Sequence, residues 1–312
     1  MTTAVLSALI RPLVEPRLPE WVDARWFATK EEALHLAPQA EIGWFDFNQP
    51  ESMAEAVTAA TNLRWLNSIY AGLDFLPLEL LAERGVTVTN GAGINAVTIA
   101  EYTVMLMLTH AKGFAQVVRA RDRREWLLDS PGKRELAGER VLLLGLGAIG
   151  RLVKTRLEAF GMEVVPVRRS GAKGALKPDE WRAQLPGFDW VILAVPATPE
   201  TEHMIGAEEL AAMKPTAVLV NMARGRVVDQ DALVAALREK RIEAALLDVT
   251  TPEPLPPDHP LWELENATLS MHLSGRAQTK MFQRSADRFI ENLHRWRAGE
   301  PVEPRMDLEL GY

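Results

Sequence analysis

Residues 141–170 read VLLLGLGAIGRLVKTRLEAFGMEVVPVRRS, and no other stretch narrows the possible folds of this chain as far. Residues 141–144 form a short apolar run suited to a strand buried on both faces. Gly145, Gly147 and Gly150 follow at G-x-G-x-x-G spacing, after which Ile149, Leu152, Val153, Leu157 and Phe160 recur at helical period. Gly161 stands where such a helix ends, and a second strand follows. The unit is therefore strand, glycine turn, helix, strand. Its glycines have separate tasks: the first permits a sharp turn, the second lets backbone approach a pyrophosphate, and the third lets the helix pack against the strand. Free amides at Ala148, Ile149 and Gly150, with the positive end of the helix dipole, would face that anion. The expectation is a dinucleotide site.

The end of the second strand bears on which dinucleotide. About 20 residues past the glycines, an NAD-binding fold usually carries an acidic residue that accepts hydrogen bonds from the adenosine ribose. Here Arg168, Arg169 and Ser170 occupy that place. A carboxylate would repel a 2′-phosphate, whereas a guanidinium can bind one with two parallel hydrogen bonds. NADPH is thus expected in preference to NADH.

A chain of 312 residues, 47% hydrophobic and 25% charged, has room for two domains with separate cores. A net charge of −7 offers nothing to nucleic acid, and the cluster Arg119, Arg121, Arg123 and Arg124 is interrupted by Asp122 and followed by Glu125, as on a solvated helix end. Cysteine is absent, so disulfides and thiol nucleophiles are excluded, and no cluster of metal ligands is visible. The most apolar helical stretch, residues 96–108, is too short to span a bilayer and contains Glu101. The N-terminus lacks the layout of a secretory signal, so a cytoplasmic location is expected.

Before the glycine unit, residues 4–10, 41–47, 63–71 and 86–90 read as strands, with helix-like segments at 51–61 and 75–84. Gly91-Ala92-Gly93 suggests a hinge, from which one long helix is expected over 95–119, then a linker at 130–140. Further strands are expected at 190–196, 217–222, 244–249 and 267–273, and a helix at 230–240. The final stretch, 278–298, is amphipathic and can return to the first unit. The fold class expected is α/β with two domains: a Rossmann-type doubly wound parallel sheet over 93–275, and a flavodoxin-like α/β substrate domain formed discontinuously by 1–92 and 276–312.

In open parallel sheets, ligands lie outside the carboxyl ends of the strands. Ala223-Arg224-Gly225, the loop TTPEPLPP at 250–257, and Met271-His272-Leu273-Ser274-Gly275 all fall there, so topology brings an arginine, an acid and a histidine to one rim. Of six histidines, His272 alone combines a strand end with small neighbours on that rim.

Ordered motifs across residues 60–300 make the chain resemble the D-2-hydroxyacid dehydrogenases: GLGAIG (145–150), VPATPETEHMI (195–205), LAAMKPTAVLVNMARG (210–225), VVDQDALVAAL (227–237), LLDVTTPEPLP (246–256) and HLSG (272–275). The basic pair, serine and length look most like the short glyoxylate/hydroxypyruvate reductase branch. The resemblance implies that Arg224 holds the 2-oxo acid carboxylate and polarises its carbonyl, that His272 is the general acid, and that Glu253 orients the imidazole and favours its protonated form. It also implies cofactor contacts from Pro196, Thr198, Met222, Ala223, Asp248, Ser274 and Gly275, with Asp248 near the nicotinamide amide. Gly72 and Leu73 would hold the substrate carboxylate through backbone amides, Trp44 would form an aromatic wall over a small substrate, and a homodimer would be the assembled state.

Thr250 stands where the family often has an aromatic residue, and Met271 where proline is common, which weakens any transfer of substrate preference. Glu253 argues against formate dehydrogenases, which resemble this pattern with glutamine at the acid position. The long phosphoglycerate dehydrogenases carry a regulatory domain for which no counterpart is expected here, while short forms stay open. A nucleotide-sensing scaffold of the corepressor type, which keeps the same fold and triad, is the rival from another class. It would show no turnover of 2-oxo acids with NADPH.

Overall fold

The computed structural model describes residues 1–47, 49–73, 75–169, 174–275 and 278–308. Their contacts divide the chain into Met1–Asn95 with Ala277–Tyr312, and Ala96–Arg276. The changeovers lie at 95/96 and 276/277, against 92/93 and 275/276 expected from the sequence.

The first unit is built on five parallel strands, β1 (Thr2–Ser7), β2 (Val22–Phe27), β3 (Ile42–Trp44), β4 (Trp65–Asn67) and β5 (Thr87–Thr89), in the order β2-β1-β3-β4-β5. Strand side chains alternate between faces, so each strand feeds two cores. Val5, Leu66 and Val88 pack beneath helices Lys30–Leu36, Pro50–Ala59 and Leu78–Glu83. Ala4, Leu6, Trp44 and Trp65 pack on the other face with Phe289 and Leu293 of helix Gln278–Ala298. Phe289 lies 4.9 Å from the Trp44 ring and 5.3 Å from that of Trp65, and it is this aromatic contact that seats the last helix on the first sheet.

Three sequence expectations fail here for local reasons. The strand expected over 4–10 stops at Ser7, whose hydroxyl accepts from the Leu9 amide and turns Ala8–Ile10 into a 3₁₀ helix. Strand β2, VDARWF, was not expected; it is an edge strand in which Asp23 and Arg25 pair at 2.7 Å in solvent, so it lacks an apolar run. The long helix expected over 95–119 is two, Ala96–Ala111 and Phe114–Asp122, because Gly113 adopts φ +61°, where a Cβ would stand 2.7 Å from the Gly132 nitrogen.

The second unit carries six parallel strands, β6 (Arg140–Leu144), β7 (Glu163–Val167), β8 (Trp190–Leu193), β9 (Val218–Asn221), β10 (Ala244–Leu247) and β11 (Ala267–Leu269), in the order β11-β10-β9-β8-β6-β7. Val141 and Leu143 enter one core, Leu142 and Leu144 the other, as a strand covered on both faces requires. The connections leave β6 first toward β7 and then toward β8, so the switch point of a doubly wound sheet falls at the carboxyl ends of β6 and β8. A parallel bridge from Val167 to Leu176 marks the place of a further edge strand beyond β7. Among the described residues, no helix is long and apolar enough to cross a membrane, and no group of histidines and acids is placed to hold a metal ion.

Candidate active site

The switch point holds the glycine turn. Gly145 follows β6 at φ +106°, a conformation L side chains rarely adopt, and a Cβ there would stand 2.4 Å from the Ala194 carbonyl oxygen just past β8. At Gly150 a Cβ would meet the Gly145 oxygen at 2.0 Å, so the third glycine lets helix Ala148–Ala159 lie against the turn. Gly147 differs: it caps the helix at φ −77° and ψ −158°, and among the described residues no heavy atom lies within 4 Å of the position its Cβ would take. The turn thus has a face left open, among the described residues, beside the amides of the first helical turn, which have no partner among those residues, a cradle of the shape and polarity a pyrophosphate needs. The residues present fit a dinucleotide.

Arg168 and Arg169 are both exposed just past β7, the strand next to the cradle, and Ser170 lies outside the described residues. Past β8, the Thr201 hydroxyl donates to the Pro196 carbonyl at 2.7 Å and accepts from the Thr198 amide at 2.8 Å, which folds Pro196 and Thr198 into a tight loop. Met222 and Ala223, past β9, are buried, and the Met222 amide donates to the Leu193 carbonyl at 3.2 Å.

Three loops of this unit meet beyond the ends of β9, β10 and β11. Arg224 follows β9, with Nη1 donating to the Ala223 carbonyl at 2.8 Å. Asn221, only 1% exposed, cinches this loop by donating to the Arg224 carbonyl at 3.0 Å and accepting from the Ala223 amide at 3.0 Å. A Cβ on Gly225 would stand 2.0 Å from the Thr250 oxygen, so the arginine loop and the acid loop touch backbone to backbone. Glu253 accepts from the Thr250 amide at 3.0 Å through Oε1, and its Oε2 lies 2.7 Å from His272 Nδ1. That contact commits Nδ1 to the carboxylate and leaves Nε2 as the other nitrogen of the ring. Burial pushes the Glu253 carboxyl up, but hydrogen bonds from His272 and Thr250 and the charges of His272 and Arg224 outweigh it and hold the group below the usual carboxylate range. Arginine, carboxylate and imidazole are thereby brought together within one unit.

Two features of this rim escape a reading of the sequence. Gln230 grips the acid loop through Thr251, accepting from its amide at 2.9 Å and donating to its carbonyl at 2.5 Å. Asp248, expected beside the nicotinamide amide, is 3% exposed, and its carboxylate accepts from the Ser270 hydroxyl at 2.7 Å, the Leu273 and Ser274 amides at 3.1 and 3.2 Å, and the Ser274 hydroxyl. Its side chain therefore anchors the histidine loop, and the Ser274 hydroxyl is spent on that anchor. The anchor holds Met271 and His272 at φ +54° and +55°, which costs free energy for residues with a Cβ and aims the imidazole. Gly275, past that anchor, is half-buried.

In the first unit, Trp44 is corrected. It is fully buried, packed against Phe289 with the rings tilted at 55°, and its indole N–H donates to Asp46 at 2.6 Å; a ring sealed in the core forms no wall over a substrate. Gly72 follows β4 on a loop closed by Asn90, whose side chain donates to the Ala71 carbonyl at 2.8 Å. Leu73 buries its side chain completely. The amides of Ala71, Gly72 and Leu73 donate to no group among the described residues.

The family described as D-isomer specific 2-hydroxyacid dehydrogenase, NAD binding domain, matches residues 104–274. The glyoxylate reductase of Korarchaeum cryptofilum is 36% identical over 79% of this chain and 77% of its own. The D-3-phosphoglycerate dehydrogenase of Methanocaldococcus jannaschii is 33% identical over 88% of this chain, which spans about half, 53%, of that protein. Among solved structures, the NADPH-dependent glyoxylate/hydroxypyruvate reductase of Sinorhizobium meliloti, in complex with NADP and malonate, superposes with a TM-score of 0.79 at 26% identity, covering 99% of this chain and 98% of that one. With the glycine cradle, the parallel sheet order and the matched domain in agreement, the chain belongs to the D-isomer specific 2-hydroxyacid dehydrogenase family.

Proposed function

We propose that the protein reduces a small 2-oxo acid of the glyoxylate or hydroxypyruvate type to the D-2-hydroxy acid, with NADPH as the reductant. The observation that carries this reading is the 2.7 Å contact between His272 Nδ1 and Glu253 on loops that adjoin Arg224, in the unit that holds the glycine cradle. Gly145, Gly147, Ala148, Ile149 and Gly150 would receive the pyrophosphate, Pro196, Thr198, Met222, Ala223, Ser274 and Gly275 would line the rest of the cofactor, and Arg168 and Arg169 would take the 2′-phosphate. The bound cofactor supplies a hydride to the carbonyl carbon of the substrate. Arg224 offers fixed donors to the carboxylate and to the carbonyl oxygen on which negative charge develops. His272 gives its Nε2 proton to that oxygen, while Glu253 stays ionised and holds the Nδ1 proton. The amides of Ala71, Gly72 and Leu73, without a partner among the described residues, suit the substrate carboxylate.

NADPH is favoured because the end of β7 carries two arginines and no acid among its described residues, and the similar S. meliloti enzyme is named for that cofactor. A homodimer is supported by apolar side chains left in solvent on helices Ala96–Ala111 and Phe114–Asp122 and the segment after them, with Phe114 57%, Trp126 89% and Leu128 97% exposed.

The test is a spectrophotometric screen of 2-oxo acids, glyoxylate, hydroxypyruvate and phosphohydroxypyruvate included, with NADPH and NADH, on the native protein and on Arg168→Asp. Turnover with NADPH, and a shift toward NADH in Arg168→Asp, is the expected result. Turnover of phosphohydroxypyruvate alone would replace the substrate class, an unshifted cofactor preference would remove the arginine assignment, and no turnover with any acid would favour a nucleotide sensor.

A further inference from the structure

Asp46 stands at the carboxyl end of β3 in the first unit, 6% exposed, and the mechanism above makes no use of it. Its carboxylate takes three donors: the Ser68 hydroxyl at 2.7 Å on Oδ1, and the Ile69 amide at 2.7 Å and the Trp44 indole at 2.6 Å on Oδ2. Ser68 passes the link on by accepting from the Tyr70 amide at 3.1 Å. The next residues are Ala71, Gly72 and Leu73, whose amides have no partner among the described residues. The same segment is held from β5 by the Gly91 amide, which donates to the Tyr70 carbonyl at 2.7 Å, and by Asn90 on the Ala71 carbonyl. A buried carboxylate is costly unless hydrogen-bonded, and this one has no cationic partner among the described residues; burial raises it to about 6 while its three donors pull the other way. What it uniquely supplies is a fixed pair of acceptors at the root of the loop.

We infer that Asp46 is a positioning residue for substrate binding: by fastening Ser68 and Ile69 it holds the amides of Ala71–Leu73 in a fixed array for the carboxylate of a 2-oxo acid. This rests on the function proposed above and deepens it. An array of donors binds an anion only if the backbone is already ordered, since ordering it on binding would cost affinity.

Asp46→Ala removes every acceptor, Ser68→Ala removes one strand of the link, and Asp46→Asn keeps it, because the amide oxygen can take Trp44 and Ile69 while its NH₂ donates to Ser68. With NADPH, the KM for the 2-oxo acid should rise about tenfold in Asp46→Ala and roughly threefold in Ser68→Ala, and stay within about twofold in Asp46→Asn, as loss of hydrogen bonds to a charged group implies. The Kd for NADPH should not move in any of them. Unchanged KM in folded Asp46→Ala, or in Ser68→Ala should the alanine variant not fold, would overturn the inference. Hydrogen exchange of residues 66–76 reads the fastening without any substrate: exchange about tenfold faster in Asp46→Ala or Ser68→Ala is expected. Unchanged exchange would refute the inference whatever the screen shows, and absence of turnover in the native protein would refute the proposed function alone.

Discussion

Alanine at Gly147 and alanine at Gly150 separate the two duties of the glycine turn. A Cβ on Gly150 would stand 2.0 Å from the Gly145 oxygen and 3.1 Å from its carbon, both backbone atoms that cannot swing aside. Helix Ala148–Ala159 must then retreat from the turn, and overpacking of this kind costs about 1–3 kcal/mol. In a unit of this size each kcal/mol lowers Tm by roughly 2–4 °C. Gly147 has φ −77°, open to any residue, and no heavy atom of the described residues within 4 Å of its Cβ position. Gly147→Ala should leave Tm unchanged, yet put a methyl where the pyrophosphate lies. The same overpacking cost, now in the complex, predicts a Kd for NADPH raised roughly 5- to 150-fold. Thermal melts without cofactor and fluorescence titration with NADPH measure the two effects. Gly147→Ala binding NADPH as tightly as the native protein, or losing as much stability as Gly150→Ala, would refute the placement of the pyrophosphate.

Two further outcomes follow. Glu253→Gln trades one acceptor for a donor that faces either the Thr250 amide or His272; a charge-assisted hydrogen bond contributes about 1.5–3 kcal/mol, and with His272 and Glu253 side chains 50% and 36% exposed about 1 kcal/mol of it survives screening. A roughly fivefold fall in kcat with an unchanged Kd for NADPH is expected from steady-state kinetics, and an unchanged kcat would remove Glu253 from the mechanism. Asp46 is raised from its usual value of 3.8 to about 6, so its contribution to stability is present below the lower value and lost as pH rises through the upper one. Native protein should therefore lose about 2 kcal/mol relative to Asp46→Asn between pH 4 and 7, read as a falling difference in Tm; a constant difference would show that Asp46 does not titrate in that window.

The second sheet was legible because parallel strands covered on both faces must be continuous apolar runs, and β6, β8, β9 and β10 are. The rim was legible by topology, since residues that follow such strands must gather at their carboxyl ends. What the sequence hid depends on remote partners or on polar residues turned inward. Gly113 breaks a helix because Pro131 and Gly132 pack against it. Trp44 is sealed by Phe289, far along the chain, and no local pattern distinguishes it from a tryptophan facing a cleft. Strand β2 alternates charged residues at a solvent edge, so its pairing with β1 leaves no apolar signature. Asn221, Gln230 and Asp46 look like ordinary surface polar residues in a string of letters, yet each fastens a loop that carries a functional group, and Asp248, expected at the nicotinamide, fastens the histidine loop.

The account depends most on the proton donor. Consumption of NADPH with glyoxylate or hydroxypyruvate should be measured in the native protein and in His272→Ala, alongside NADPH binding in each. A fall in turnover of about 10²- to 10⁴-fold with binding of NADPH intact is the result expected if the imidazole supplies the proton. Turnover at the native rate in His272→Ala would contradict the mechanism outright.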